Sequence, residues 1–404
     1  MSTSTRFTLK FPVVSICVLA ALCGQSNASE LVDALAEGSA SASMNLRYES
    51  VSQDNAVADA DALTLRTFLG LKSGSYKGFS VTAEVEDSRI VLGQGDYSVG
   101  PTGYNVGQYS VIADPETTEL DQAFVQYQSD SYTVRAGRQV IALDAHRFVG
   151  HVGWRQDRQT FDGISLSYQI SKDISAFYAY VNQRNRIFAQ AADLDSKDHL
   201  INISYQSPVG KFTAYSYLLE IDNATPNSLD TFGVRYAGGV TLNDVKYSYT
   251  AEYATQSSET ATLDVDASYW LLEGSATFSG VTLLAGYEVL GSDEGVYGFS
   301  TPLATLHKFN GWADQFLSTP AQGLKDAYIS LSSTLAGGKG SLVYHQFDAD
   351  ESSVEVSDLG SEVDLVYTKA VLDNVTLGLK YARYSAGDIN VDTDKLWAWV
   401  STAF

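Results

Sequence analysis

Strict alternation of apolar and polar residues recurs along most of the chain. Val245, Tyr247, Tyr249, Ala251 and Tyr253 fall on one face, and Lys246, Ser248, Thr250 and Glu252 on the other. Phe79, Val81, Ala83 and Val85 oppose Ser80, Thr82, Glu84 and Glu86, and Ile164, Leu166, Tyr168 and Ile170 oppose Ser165, Ser167 and Gln169. A period of two predicts strands, and about ten residues of it cross a hydrocarbon core when tilted. About 18 such segments run from 43–50 to 394–404. Short connections such as 129–130, 171–173 and 279–280 alternate with long ones at 88–118, 140–159, 184–197 and 291–324. The pattern predicts an all-β transmembrane barrel, antiparallel and up-and-down, with short periplasmic turns and long extracellular loops. Closure is required, because an open sheet edge would leave backbone N–H and C=O groups without partners in lipid.

The last segment keeps the pattern. Leu396, Ala398, Val400, Thr402 and Phe404 alternate, and the chain stops on an aromatic. This is similar to the C-terminal strand signal that barrel-assembly machinery reads in outer-membrane proteins. Composition agrees: 25 tyrosines, 7 prolines and 18% charged residues suit strands with one apolar and one polar face better than a helical enzyme.

Residues 1–28 read as a secretory signal peptide. Arg6 and Lys10 make a basic start, the apolar run 11–22 is too short to span a bilayer, and Ser26-Asn27-Ala28 offers small residues for cleavage. The barrel is then expected over 29–404. Both cysteines, Cys17 and Cys23, fall in the signal, which leaves no thiol for a disulfide or a metal in the remainder.

Charge is distributed unevenly. The chain carries a net −22, or −24 without Arg6 and Lys10. Yet 7 of the 12 later arginines fall in one window: Arg135, Arg138, Arg147, Arg155, Arg158, Arg184 and Arg186. With Lys172, and against Asp144, Asp157, Asp162 and Asp173, the window has a net charge of +4. Guanidinium groups grip carboxylate or phosphate bidentately, so the island suggests a site that handles anions.

Parity assigns faces. Tyr132, Val134 and Ala136 are expected against lipid, and Thr133 and Arg135 in the lumen. Arg47, Arg66, Arg235, Lys246 and Lys380 also fall on polar faces, and Trp397 and Trp399 share the inward parity of the last strand. A charge on the lipid face costs roughly 2–4 kcal/mol at midplane, which makes the lumen the default. Two readings of the arginines stay open. Each pairs with an inward acid such as Glu84, Glu86 or Glu252 and braces the wall, or the cluster forms a charged constriction that sets pore selectivity. Arg147, Arg155 and Arg158 lie in the third outer loop, which either folds over the channel or stays in solvent.

Other chemistry is sparse. His146 and His151 are five apart and lack the helical zinc spacing, and no G-x-S-x-G elbow or P-loop occurs. No cofactor, metal or enzymatic activity is expected. Asp348, Asp350, Glu351, Glu355 and Asp358 could carry divalent cations that bridge lipopolysaccharide, or be a solvated loop.

Two blocks are family-specific. The first runs Arg135-x-Gly137-Arg138-Gln139, Asp144, Arg147-Phe148-Val149-Gly150, Trp154-Arg155-Gln156 and Gln159-Thr160-Phe161-Asp162. The second is His307-Lys308-Phe309-Asn310-Gly311-Trp312-Ala313-Asp314-Gln315-Phe316-Leu317. Both resemble the alginate-export family of outer-membrane barrels. The resemblance implies a channel for passive passage of anionic solutes, above all uronate-type oligo- or polysaccharide, in the outer membrane of a Gram-negative bacterium. It implies that Arg135, Arg138, Arg147, Arg155 and Arg158 line the path; Arg184 from the charged window, and Arg66 and Arg235 from their parity, are further candidates. A weakly selective general porin is the alternative, and a structural or adhesive barrel a third reading.

Overall fold

The computed structural model describes residues 34, 36–100 and 104–404. The expected signal, 1–28, lies outside the described residues. The chain runs through β1 (Ser39–Gln53), β2 (Ala60–Lys72), β3 (Phe79–Asp96), β4 (Thr117–Gln128), β5 (Tyr132–Gln139), β6 (Thr160–Gln169) and β7 (Ile174–Asn185). It continues through β8 (Leu194–Ser207), β9 (Gly210–Leu219), β10 (Asn227–Leu242), β11 (Val245–Thr260), β12 (Asp264–Phe278) and β13 (Val281–Leu290). A two-stranded hairpin, β14 (Ser292–Asp293) and β15 (Tyr297–Gly298), stands apart from the main sheet. The wall finishes with β16 (Leu324–Leu335), β17 (Gly338–Asp348), β18 (Asp358–Leu372), β19 (Val375–Ser385) and β20 (Thr393–Ala403).

Eighteen strands form one antiparallel sheet, and β1 pairs with both β2 and β20, so the sheet closes on itself. The seam runs in register from Ser43 opposite Ala403 to Gln53 opposite Thr393. Closure removes every edge from the membrane-spanning sheet.

The strands outrun their sequence patterns at the outer end. β3 continues to Asp96, although apolar alternation stops near Val85, and β11 and β12 leave only residues 261–263 between them. Above the hydrocarbon the outward face meets water, so alternation is no longer needed. The hydrogen-bonded ladder still is, because its backbone groups want partners.

Parity is obeyed around the wall. Leu69, Leu71, Ile164, Ile203, Val234, Leu272, Leu283, Leu331 and Leu379 are exposed and make the belt that faces lipid. Residues of opposite parity point inward and are buried: Arg47, Glu49, Ser165, Glu252, Glu288, Asp326, Glu362 and Lys380. Trp397 is fully buried. A membrane barrel thus has its core inside, and here much of that core comes from two outer loops.

Candidate functional site

The loop 140–159 folds into the barrel. Asp144, Ala145 and His146 take φ of 38, 63 and 71° and turn the chain back. The returning segment meets a second inward loop, 299–323. Val149 bridges Leu303, Gly150 N–H donates to the Leu303 carbonyl at 2.8 Å, and Thr305 N–H donates to the His146 carbonyl at 3.0 Å. The two backbones touch at Gly150. A Cβ there would lie 2.3 Å from Thr305 Oγ1 and 2.9 Å from Thr305 N, so only glycine allows the approach.

The joined loops form a plug tied to the wall by buried polar contacts. Arg147 donates to Glu288 on β13 at 2.7 Å. Arg155 donates to Glu49 on β1 at 3.0 Å and to Asp314 of the partner loop at 2.9 Å. Arg158 pairs with Asp121 on β4 and Glu84 on β3. Gln156 donates to Thr64 on β2 at 2.9 Å. From the second loop, Asn310 donates to Glu288 at 2.7 Å and Asp326 at 3.1 Å, while Ala313 N–H donates to Glu362 at 2.6 Å.

Four other arginines are also paired, Arg47 of β1 with Asp114. Arg184 binds Asp198 at 2.7 Å, Arg235 binds Glu252, and Arg138 binds Asp162 at 2.7 Å. Arg138 has the parity of the outward-facing Tyr132 and Ala136, at the rim end of β5. Three differ. Arg66 donates only to the carbonyls of Gly153 and Arg155, at 3.1 and 2.8 Å. Arg135 donates through Nε to Gln126 at 2.8 Å and lies over the Phe124 ring. Arg186 donates to the Pro302 carbonyl at 3.3 Å. None of the three has a carboxylate partner among the described residues.

The plug is clasped around one lysine. Lys380 of β19 donates to His307 Nε2 at 2.7 Å, and its ammonium lies 3.9, 4.5 and 5.2 Å from the ring centres of Trp312, Trp154 and Trp397. Indole faces attract a desolvated cation. His307 stacks on Trp154, with ring centres 5.1 Å apart. His307 Nδ1 faces Asp314 at 2.6 Å, and Asp314 also accepts from Lys395 of β20 at 2.8 Å.

Burial pushes the His307 imidazole down to about 3, and Lys380 adds to the shift, against the upward pull of Asp314. A neutral ring fits the geometry: Nδ1–H donates to Asp314, and the Nε2 lone pair accepts from Lys380. Burial alone would raise Asp314, but His307, Lys395 and Arg155 together hold its carboxyl well below the usual range. Lys308 donates to the Ala145 carbonyl at 2.8 Å and ties the loops once more. Asp144 accepts from Asn202 and lies 3.6 Å from Lys211. Among the described residues, no group of three or more histidine and carboxylate side chains could hold a metal ion. In the acidic eighth loop, Asp350 pairs with Lys325 at 3.1 Å.

Space remains on both sides of the plug. A cavity of about 360 Å³ opens toward the periplasmic turns beneath Asn202 and Lys211, and one of about 180 Å³ lies on the outer side beside Arg147 and Arg186. The partners not legible in the sequence are Glu49, Asp121, Asp198, Glu288, Asp326, Glu362 and Lys395 on the strands, and Asp114 between β3 and β4. The strand residues had one signal, a charge at an inward position.

Comparisons with known proteins agree with this geometry. The family model described as alginate export matches residues 39–288. A comparison with curated proteins returned no match. OccAB4 of Acinetobacter baumannii superposes with a TM-score of 0.72 at 15% identity, over 91% of this chain and 98% of that one. OccK9 (OpdG) of Pseudomonas aeruginosa gives 0.72 at 13%, over 92% and 99%. OpdK of the same organism, solved with vanillate, gives 0.70 at 13%, over 90% and 98%. At such identities the likeness is one of fold. With its closed 18-stranded wall and the family match over 39–288, the chain belongs to the alginate-export family, as an integral, porin-like channel of the Gram-negative outer membrane.

Proposed function

We propose that the channel passes anionic solutes of the uronate type, and that Arg135 is the selecting cation of its periplasmic half. The observation that carries this reading is the state of Arg135. Seven other arginines are matched by carboxylates within the wall or plug, and Arg186 on the outer side is bound to the Pro302 carbonyl. Arg135 keeps its two terminal nitrogens uncommitted, on the inward parity of β5. A guanidinium held by one hydrogen bond and an aromatic face is placed to take a passing carboxylate bidentately. Arg66, bound only to carbonyls, stands in reserve behind the plug.

The docked plug favours short solutes over a continuous polymer, because an extended chain would have to displace buried ion pairs. The paired arginines favour bracing as their own role, and that is the specific support for the general-porin alternative. Recognition of the last strand by barrel-assembly machinery is part of the same proposal, supported by the exposed Phe404 that follows β20.

Reversal potentials in planar bilayers test the reading. The wild-type channel is expected to prefer chloride and galacturonate over potassium. Arg135→Ala is expected to cut that preference several-fold, and Arg184→Ala to leave it unchanged. A cation preference in the wild type, or an Arg135→Ala channel with unaltered reversal potential, overturns the proposal.

A further inference from the structure

We infer that the periplasmic-side cavity is a sugar-ring subsite in which Phe177 is the stacking platform. It rests on the preceding reading for the identity of the solute as a sugar acid, but not for its geometry. Strand register builds the site. Thr133 lies opposite Ser167, Ser167 opposite Phe177, and Phe177 opposite Asn202, so four side chains of one height line up across β5, β6, β7 and β8. One step nearer the periplasm, Gln169, Ser175 and Ser204 form a second row across β6, β7 and β8. All of them line the cavity of about 360 Å³. That volume falls in the roughly 300–1,000 Å³ range of small-molecule sites.

Phe177 is the inward-parity aromatic of this cavity. Its neighbour Tyr178 is 39% exposed and faces lipid, as alternation requires. Phe177 has the opposite parity and stands on the watered side of a membrane strand, half-buried. A phenyl ring there gains nothing from the bilayer; it packs in part against the buried cluster of the barrel interior and turns the rest of its surface to the cavity. Its cross-strand neighbours are a hydroxyl and an amide, groups that both donate and accept. An apolar face ringed by such groups complements a pyranose. The ring C–H face lies on the aromatic and the hydroxyls reach the polar rim.

The charge fits the same solute. Asn202 of the cavity wall is held by the plug, its amide N–H donating to Asp144. Arg135 stands two residues beyond Thr133 on β5, a rise of roughly 7 Å, within reach of a carboxylate on a ring seated over Phe177. Lys211 lines the other side. The subsite therefore orders a sugar acid by two separate contacts, ring on Phe177 and carboxylate toward Arg135.

The test uses the full barrel in planar bilayers, with trigalacturonate, neutral maltotriose or benzoate added from the periplasmic side. The half-blocking concentration of the ion current is read. The wild type is expected to be blocked by both trisaccharides, trigalacturonate at the lower concentration. Phe177→Ala is expected to raise both half-blocking concentrations about two- to tenfold, the range of aromatic contact energies, with reversal potential unchanged. Phe177→Tyr is expected to restore them. Ser167→Val, which leaves the ring in place, is expected to weaken block by both sugars as well. Unchanged block in Phe177→Ala, or block by benzoate at lower concentration than trigalacturonate, overturns the subsite. Maltotriose block that depends on Phe177 in a channel without anion preference would sustain the subsite and sink the anion proposal instead.

Discussion

Replacing Asp314 by alanine should release the plug while leaving the barrel closed. Asp314 is 5% exposed and receives Arg155 at 2.9 Å, Lys395 at 2.8 Å and His307 at 2.6 Å. Arg155 keeps Glu49 in the variant, at 3.0 Å. Lys395, itself 5% exposed, has no second carboxylate among the described residues and would become a buried, unpaired charge. Breaking a buried pair in this way costs about 3–5 kcal/mol. At about 1.4 kcal/mol per decade, the undocked fraction rises roughly a hundred- to several-thousandfold. The β1–β20 seam is a backbone ladder and does not depend on Asp314. Single-channel recording should therefore show larger conductance and frequent long openings, with the variant still migrating as a folded, heat-modifiable barrel. Wild-type conductance and open-channel noise in Asp314→Ala would refute the idea that this carboxylate holds the loops down.

Acid should loosen the same clasp. The folded value of His307 is lowered to about 3, so the docked state resists protonation; docking stability is full above the ordinary histidine value near 6.5 and is lost as pH falls from there. Asp314, held low, loses its own contribution only at still lower pH, in the same direction. Conductance noise should rise from about pH 6.5 downward, and noise that is flat to pH 4.5 would count against it. Gly150→Val changes no charge but drives a side chain into Thr305. Overpacking costs about 1–3 kcal/mol, so this variant should show a milder form of the Asp314→Ala trace, and a wild-type trace would show that the two loops need not touch.

The wall was legible because its rules are local. Each strand declares itself by a period of two, since one face meets lipid and the other does not. The inward parity of Arg47, Arg66, Arg135, Arg235 and Lys380, and of Trp397 beside them, follows from the same rule. The number of strands and the alternation of short and long connections follow from counting. Outer strand ends are not legible in the alternation, as at β3, because the ladder continues where the lipid does not.

What sequence left open was the state of the arginine window, and tertiary structure decided it. Whether loop 140–159 enters the lumen depends on partners far away in the chain. Arg155 finds Glu49 across 106 residues and Asp314 across 159, and Arg147 finds Glu288 across 141. No pattern within the loop encodes these distances. Only the closed wall brings such acids to the height at which the loop descends, and there a guanidinium taken out of water must meet a carboxylate. The chain alone determined that positive charge is concentrated between Arg135 and Arg186. The fold decided that most of it is neutralised in place and that Arg135, on the open half of the wall, and Arg186, bound to the Pro302 carbonyl, are not.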